Sequence, residues 1–445
     1  MSRIYSKDAF DTHQKVPSYW EATAQTDCKS TEFHNDEIFD VAIIGGGFTG
    51  QSAALHLAKA GTSKVVILDS GNVGWGASGR NGGFCIMGGS KVPYSSLIKK
   101  YGLVETKKYV AAEIQAVELV RSIAEQENIN FDMTGQGEYL LAHKQHINSD
   151  LISEQQFNNE TFNLDCKIFS QQELHDKGLK SASLYSGIFT PIGFGLHPLK
   201  YVYGLFEACM KRGVNWFEQT TVTAWDKDKN IHHLTTSKGV VRAKKVLIAT
   251  NGYTEETLTK SLKGTLLPTM SNILVTRPIT DEELKQQGWT NHCLSFDSRN
   301  LLHYFRLLPD NRLLFGGRGG IDASDTSLPI MKNKLFKDFV SMFPEWKQVS
   351  IDYFWRGFVC LSYQLTPHIS AFNNDPSIFC ALAYHGNGVA MGTWSGQQAA
   401  KLILNQEHQI PNFINQQPKS FPLEKLRKLY LRGAYLGYEI KDRYL

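Results

Sequence analysis

Three spaced glycines and one acid are the residues of this chain whose types and spacing most directly suggest chemistry. They fall in VAIIGGGFTGQSAALHLAKAGTSKVVILDS, residues 41–70. Gly45, Gly47 and Gly50 make a Gly-x-Gly-x-x-Gly turn that also holds Phe48 and Thr49, and Asp69 lies 69 − 50 = 19 residues past the last glycine. Gly45 permits a tight turn, Gly47 removes a side chain where a diphosphate must approach, and Gly50 lets a helix pack closely on a strand. The N–H groups and positive dipole end of that helix would face the diphosphate. Asp69 would accept from a ribose 2′-OH and repel a 2′-phosphate. Glycine is common here, 37 of 445 residues, so the flanks must separate a nucleotide site from a tight packing turn.

The flanks favour the nucleotide. FDVAII (39–44) is an apolar run suited to a strand buried on both faces of a parallel sheet. QSAALHLAKAG then reads as a helix with Ala53, Ala54, Leu57 and Ala58 on one face, stopping at Gly61. KVVILD follows as a second buried strand ending on Asp69. Strand, glycine turn, helix, strand and acid are in register for a dinucleotide.

The next stretch selects the dinucleotide. SGNVGWGASGRNGGFCIMGG (70–89) carries eight glycines in twenty residues. It is too glycine-rich for the ordinary crossover helix of a nicotinamide domain. Ser70, Gly76, Ala77, Ser78, Asn81, Gly82 and Gly83 offer backbone N–H groups along a long ligand, and Arg80 offers a guanidinium for phosphate. Further on, VVRAKKVLIATNGYT (240–254) leads a strand into Thr250-Asn251-Gly252. IFCALAYHGNGVAMGTWSGQQAAKLIL (378–404) then repeats the strand, glycine turn and helix order at His385-Gly386-Asn387-Gly388, followed by Val389 and Met391. A second helix N-terminus aimed at the same ligand would stabilise the negative charge of a reduced flavin at N1–C2=O. A nicotinamide has no need of it, so FAD is the expected cofactor.

These motifs resemble the FAD-dependent D-amino acid oxidase (DAO) superfamily, most closely its gamma-glutamylputrescine oxidase type. GWGASGRNGG (74–83) is the most specific piece. PSYWEATA (17–24), GLHPLKYVYGL (195–205), YFRLLPDNRLLFGGR (304–318), ATNGYT (249–254) and HGNGVAMGT (385–393) extend the likeness over most of the chain. The resemblance implies an α/β fold (α+β overall): a Rossmann-like FAD-binding domain of the glutathione-reductase type with an inserted antiparallel-sheet substrate domain. It also implies that the Val222 backbone lies against the adenine and that Trp355 and Gly357 lie near the isoalloxazine. Gln364 stands where relatives often have Asp, and Ser370 where they have Gly. Cys360 falls in the region where sarcosine oxidases attach flavin. An isolated cysteine is most often a small buried hydrophobe, so non-covalent FAD is expected.

The resulting division is an N-terminal arm (1–35), a discontinuous FAD domain (36–100, 190–270 and 350–410), a substrate domain (101–189 and 271–349) and a docking tail (411–445). Residues 101–128 have helical periodicity, 198–213 read as a helix, and 271–349 read as short strands and turns.

Bulk composition narrows the function classes. The chain is 42% hydrophobic and 20% charged, and its net charge of +4 forms no basic block, which argues against nucleic acid. Seven scattered cysteines without a CxxC pair support neither a disulfide framework nor a metal site. The polar start, MSRIYSKDAFDTHQK, lacks a signal-peptide core, and no apolar run reaches membrane-spanning length. A soluble cytoplasmic protein is the expectation.

The expected chemistry is oxidation of the C–N bond of a small amine, gamma-glutamylputrescine-like or an N-substituted amino acid, by hydride transfer to flavin. The cofactor carries the reaction, so no acid–base constellation is required. O2 giving H2O2, or another electron acceptor, would reoxidise it. The alternatives are an FAD-dependent amino-acid dehydrogenase and a flavin-binding subunit without turnover. His303, Tyr304, Arg306 and Trp355 are the substrate-pocket candidates. Tyr304 and Arg306 would share one strand face, either to bind a carboxylate or to be satisfied at a domain interface.

Overall fold

The apolar run that ends at the first glycines forms the strand Ile38–Ile44, in the middle of an eight-stranded sheet. The computed structural model describes residues 4–444. Ile38–Ile44 pairs in parallel with Val65–Leu68 on one side and Gly239–Ile248 on the other. Asn215–Phe217 and Asp375–Leu382 extend the parallel order outwards, and His368–Phe372 closes one edge antiparallel.

The helices Phe48–Lys59, Leu103–Glu127, Pro198–Met210 and Ala390–Ile403 share one core, through Leu57, Val117, Leu205 and Ile403. Val222–Asp228 and Ile231–Thr236 fold antiparallel onto Gly239–Ile248, and Val222 and Leu234 pack with Ile44 and Leu68 in a second core. A parallel sheet between helices and a three-stranded antiparallel layer is the expected Rossmann-like architecture.

A second eight-stranded sheet runs in the spatial order Ile351–Ser362, Leu266–Thr276, Leu313–Arg318, His303–Leu307, Leu294–Asp297, Glu138–Leu141, Ser186–Thr190, Lys167–Ser170. Its neighbours are antiparallel except Leu294–Asp297 with Glu138–Leu141. One face packs Phe305 and Phe315 against Phe339 and Met342 of the helix Leu328–Met342. The other face looks toward the first sheet.

Three elements differ from the sequence reading. Leu103–Glu127 buries Tyr109, Val117 and Val120 with the helices of the first sheet, so it belongs to that layer rather than to the inserted sheet. Ile351–Ser362 pairs with Leu266–Thr276 from Leu266↔Ser362 to Thr276↔Ile351, so it completes the second sheet rather than the first. The segment 271–349 also holds the helices Asp281–Gln287 and Leu328–Met342. Among the described residues, no helix is long and apolar enough to cross a membrane.

Candidate functional site

The Gly45 turn takes its shape from steric demand. Gly45 has φ +103°, and a Cβ at Gly50 would lie 2.0 Å from the Gly45 carbonyl oxygen. The chain therefore enters Phe48–Lys59 with Gly47 as its first cap and with N–H groups that have no helical acceptor. A Cβ at Gly47 would come 2.7 Å from the Ser78 hydroxyl, in the path left open along the turn. The Asp69 carboxylate accepts from the N–H groups of Gly46 (2.6 Å) and Gly71 (2.8 Å). A carboxylate has about four lone-pair positions, so two remain for ribose hydroxyls.

One long cavity collects most of the residues singled out in the sequence. Gly45, Gly47, Phe48 and Thr49 line it at the first turn, and Asp69, Ser70 and Val222 at one end. Gly76, Ala77, Ser78, Arg80, Asn81 and Gly82 run along its wall. Thr250, Asn251, Gly386, Asn387, Gly388 and Val389 meet them at the second turn. The helix Ala390–Ile403 starts immediately beyond that turn.

Four expected cofactor contacts stand behind this wall instead. Gly50 and Met391 are buried in helix packing. Gly83 has φ +71° and lies against the Leu196 carbonyl, and Gly252 packs on Phe358. Each shapes the wall without lining it. Trp355 is likewise displaced from the expected ring contact. It is 2% exposed and donates from Nε1 to the Arg80 carbonyl at 2.7 Å, bracing the glycine-rich segment from behind. Gly357 does line the cavity.

The second turn is held by a neutral histidine. His385 Nδ1 donates to the Gly89 carbonyl at 2.7 Å, and Nε2 accepts the Ser362 N–H at 3.2 Å. Burial, partly opposed by the Gly89 bond, pulls its pKa down to about 3. Its role is to fix the backbone that presents Gly386–Gly388.

Of the substrate candidates, only Tyr304 faces the cavity. Its hydroxyl shares a 2.9 Å hydrogen bond with Ser271, and burial raises its pKa to about 12. His303 points to the opposite face, where Nδ1 meets Asp297 at 2.9 Å and Nε2 meets Asp338 at 3.3 Å. Arg306 is 1% exposed and bound to the Gly82 carbonyl, the Thr134 hydroxyl and the Leu196 carbonyl at 3.1, 3.0 and 2.6 Å. The carboxylate-anchor expectation for Arg306 is thereby corrected: its donors are committed to neutral acceptors that tie the inserted sheet to the glycine-rich segment.

Two arginines line the cavity: Arg80, expected to serve a phosphate, donates to the Trp75 and Arg356 carbonyls and lies over the Trp75 ring, and the second is Arg318, which the sequence reading passed over. Its Nη2 donates to the His385 carbonyl at 3.3 Å, beside the second glycine turn. Burial is the main influence on its pKa, and lowers it. Lys91 shares this end of the cavity. Its side chain is exposed along the cavity wall although protein surrounds it; that enclosure, followed by Arg318, pulls its pKa down to about 7. The hairpin offered a signal for Arg318. Tyr304 pairs with Gly316, so Arg318 two residues on shares the Tyr304 face.

These residues fit FAD. Two helix starts converge on one cavity, a carboxylate with open acceptor positions stands at one end, and the Gly386–Gly388 backbone stands at the other. Fold and site together define a dinucleotide-dependent oxidoreductase with a sheet-covered cofactor cavity. The comparisons carry this further: the family model for the FAD dependent oxidoreductases called DAO matches residues 40–402, and the chain belongs to that family. It is 30% identical to the probable oxidoreductase OrdL of Haemophilus influenzae, over 98% of this chain and 99% of that one. It is 28% identical to the gamma-glutamylputrescine oxidoreductase of Escherichia coli, over 97% and 99%. Among solved structures, glycine oxidase from Geobacillus kaustophilus shares the fold with a TM-score of 0.69 at 21% identity, covering 83% of this chain and 95% of that one.

Proposed function

We propose that this protein oxidises the C–N bond of a small amine that also carries a carboxylate. The observation that carries this reading is Arg318, a half-buried guanidinium in the cavity beside the second glycine turn. Bound FAD supplies the acceptor for a hydride from the carbon next to nitrogen, leaving an imine that water hydrolyses to a carbonyl compound and ammonia or amine.

The chain's own residues would do the rest. Arg318 would hold a carboxylate through a charge-assisted, two-point contact. Tyr304, fixed by Ser271, and Phe296 wall the reacting carbon off from water. Lys91 stands at the same end and, with its pKa drawn down to about 7, adds positive charge there chiefly below neutral pH. The N-terminus of Ala390–Ile403 would favour negative charge at the pyrimidine edge. The likeness to a gamma-glutamylputrescine oxidoreductase and to a glycine oxidase supports an amine or amino acid as substrate.

Peroxide release and anaerobic flavin bleaching across polyamines, N-acylated diamines, N-methyl amino acids and glycine test the reading. Bleaching by an amine with peroxide on readmission of air is the expected result. Bleaching without peroxide would assign another electron acceptor, and failure of every amine to bleach the flavin would overturn the reading.

We also propose that FAD is held non-covalently. Cys360 lies in the cavity wall at 1% exposure, and burial, then the charge of Glu256, raises its thiol pKa far above neutrality. The thiolate needed for attachment is absent at neutral pH. Acid precipitation should release all yellow colour; colour kept by the pellet and lost in Cys360→Ala would reverse the assignment.

A further inference from the structure

The cavity has a second charged wall, opposite in sign to Arg318. Glu138 opens the strand Glu138–Leu141, two strands beyond Tyr304 in the sheet order, and lines the same cavity. Its residue is 8% exposed, and its Oε2 meets no hydrogen-bond partner. The charged neighbour acting on it is another acid, Glu113 of the helix Leu103–Glu127. Glu113 is 1% exposed and accepts from the Tyr94 hydroxyl at 2.5 Å. The Gly88 backbone also hydrogen-bonds to it, and the preceding Met87 carbonyl accepts from Asn387 of the second glycine turn at 3.0 Å. The acid pair therefore sits one backbone layer behind that turn.

Two carboxyls buried together, one of them without a partner, are costly in a protein interior. Burial, then Glu113, holds Glu138 up to about 8, and burial holds Glu113 up to about 7. An apolar side chain would avoid this cost, and Phe296 on the adjacent strand does so on the same face. A cation entering the cavity would offset it by giving the free oxygen a partner. Three strand spacings separate Glu138 from Arg318 in the sheet order, roughly 14 Å across the sheet. One α-amino-acid head, with ammonium and carboxylate on the same carbon, cannot reach both.

We propose that Glu138, with Glu113 behind it as a positioning residue, receives a second, non-reacting ammonium of an extended substrate. The substrate class is then a carboxylate-bearing amine with a further cationic nitrogen several carbons from the oxidised C–N bond, and a plain diamine is the minimal probe of that second ammonium. This rests on the amine-oxidising reading above.

The test uses the holoenzyme without air and a length-matched pair, 1,4-diaminobutane and butylamine. Dissociation constants come from the concentration dependence of flavin bleaching at pH 8. The wild type should prefer the diamine by about tenfold or more. In Glu138→Gln, which keeps the size and removes the charge, that preference should fall to about onefold; a preference that survives would overturn the proposal. Glu138→Leu, which also removes the carboxylate, provides the same comparison should Glu138→Gln fail to fold.

A second probe, 2,5-diamino-2,5-dimethylhexane, has no hydrogen on the carbons beside nitrogen and so cannot be oxidised. Its binding is read by calorimetry. Binding lost in Glu138→Gln, with no amine bleaching the wild type, would sustain the subsite and overturn the oxidase reading. Bleaching by amines with Glu138-independent binding of this probe would overturn the subsite alone.

Discussion

Arg306 and Arg318 stand on one face of one sheet, and their neighbours give them different work. Arg306 is enclosed by two carbonyls and a hydroxyl. Truncation would leave those acceptors buried and unpaired, so Arg306→Ala should lower stability by at least ~3 kcal/mol. Chemical denaturation of the FAD-loaded protein measures this, and a loss within experimental scatter would contradict the clamp. Arg318→Ala should instead raise KM for carboxylate-bearing amines by more than tenfold relative to plain diamines, about 1.4 kcal/mol or more of selective binding. Equal effects on both substrate types would remove Arg318 as the anchor. At the other end of the cavity, Asp69→Ala should weaken FAD binding by roughly 1.5–3 kcal/mol through loss of a charge-assisted hydrogen bond. Fluorescence titration of the apoprotein with FAD reads that loss, and unchanged affinity would take Asp69 out of the ribose site.

At the scale of elements, the strand His303–Leu307 divides its duties by alternation. Tyr304 serves the cavity, and His303 anchors the far face between Asp297 and Asp338. Burial opposes the charge on His303, yet the Asp297 and Asp338 contacts outweigh it and raise the pKa from 6.5 to about 9. A raised folded pKa means that this stabilisation is fully present below pH 6.5 and is lost as pH rises through about 9. The thermal midpoint should therefore fall more steeply between pH 6.5 and 9.5 in the wild type than in His303→Gln, whose parallel decline would contradict the ion-pair account. Legibility follows the same division of near and far. The first glycine turn could be read because strand, turn, helix and acid are contiguous. That Ile351–Ser362 joins Leu266–Thr276 could not, because the paired residues lie between 351 − 276 = 75 and 362 − 266 = 96 positions apart. Alternation put Tyr304 and Arg306 on one face, and the observed pairing of Tyr304 with Gly316 adds Arg318 to it. Which arginine met open space depended on where the Gly82 and Leu196 backbones pass, and no local pattern records that.

At the scale of the whole molecule, the N-terminal arm is part of the cofactor site's support. Trp20 is 1% exposed, donates from Nε1 to the Asn81 carbonyl at 2.8 Å, and places its ring 6.2 Å from Trp355 and 5.8 Å from the Arg306 guanidinium. Trp20→Ala should cost about 3–5 kcal/mol of stability and loosen FAD although the side chain lies outside the cavity lining. Thermal melts at rising FAD concentration check this, and full retention of FAD would make the arm a passenger. The order of the chain also has a consequence for biosynthesis. The helix Phe48–Lys59 packs against Ala390–Ile403, where a Cβ on Gly396 would lie 2.3 Å from the Thr49 carbonyl oxygen. The two helices begin 390 − 48 = 342 residues apart. At 5–20 residues per second, a ribosome needs on the order of tens of seconds to supply the second helix. Until then the Gly45 turn exists without its companion and the second glycine turn does not exist at all. Flavin capture would thus wait for that second helix, and ribosome-bound chains stalled before residue 375 should carry no flavin fluorescence.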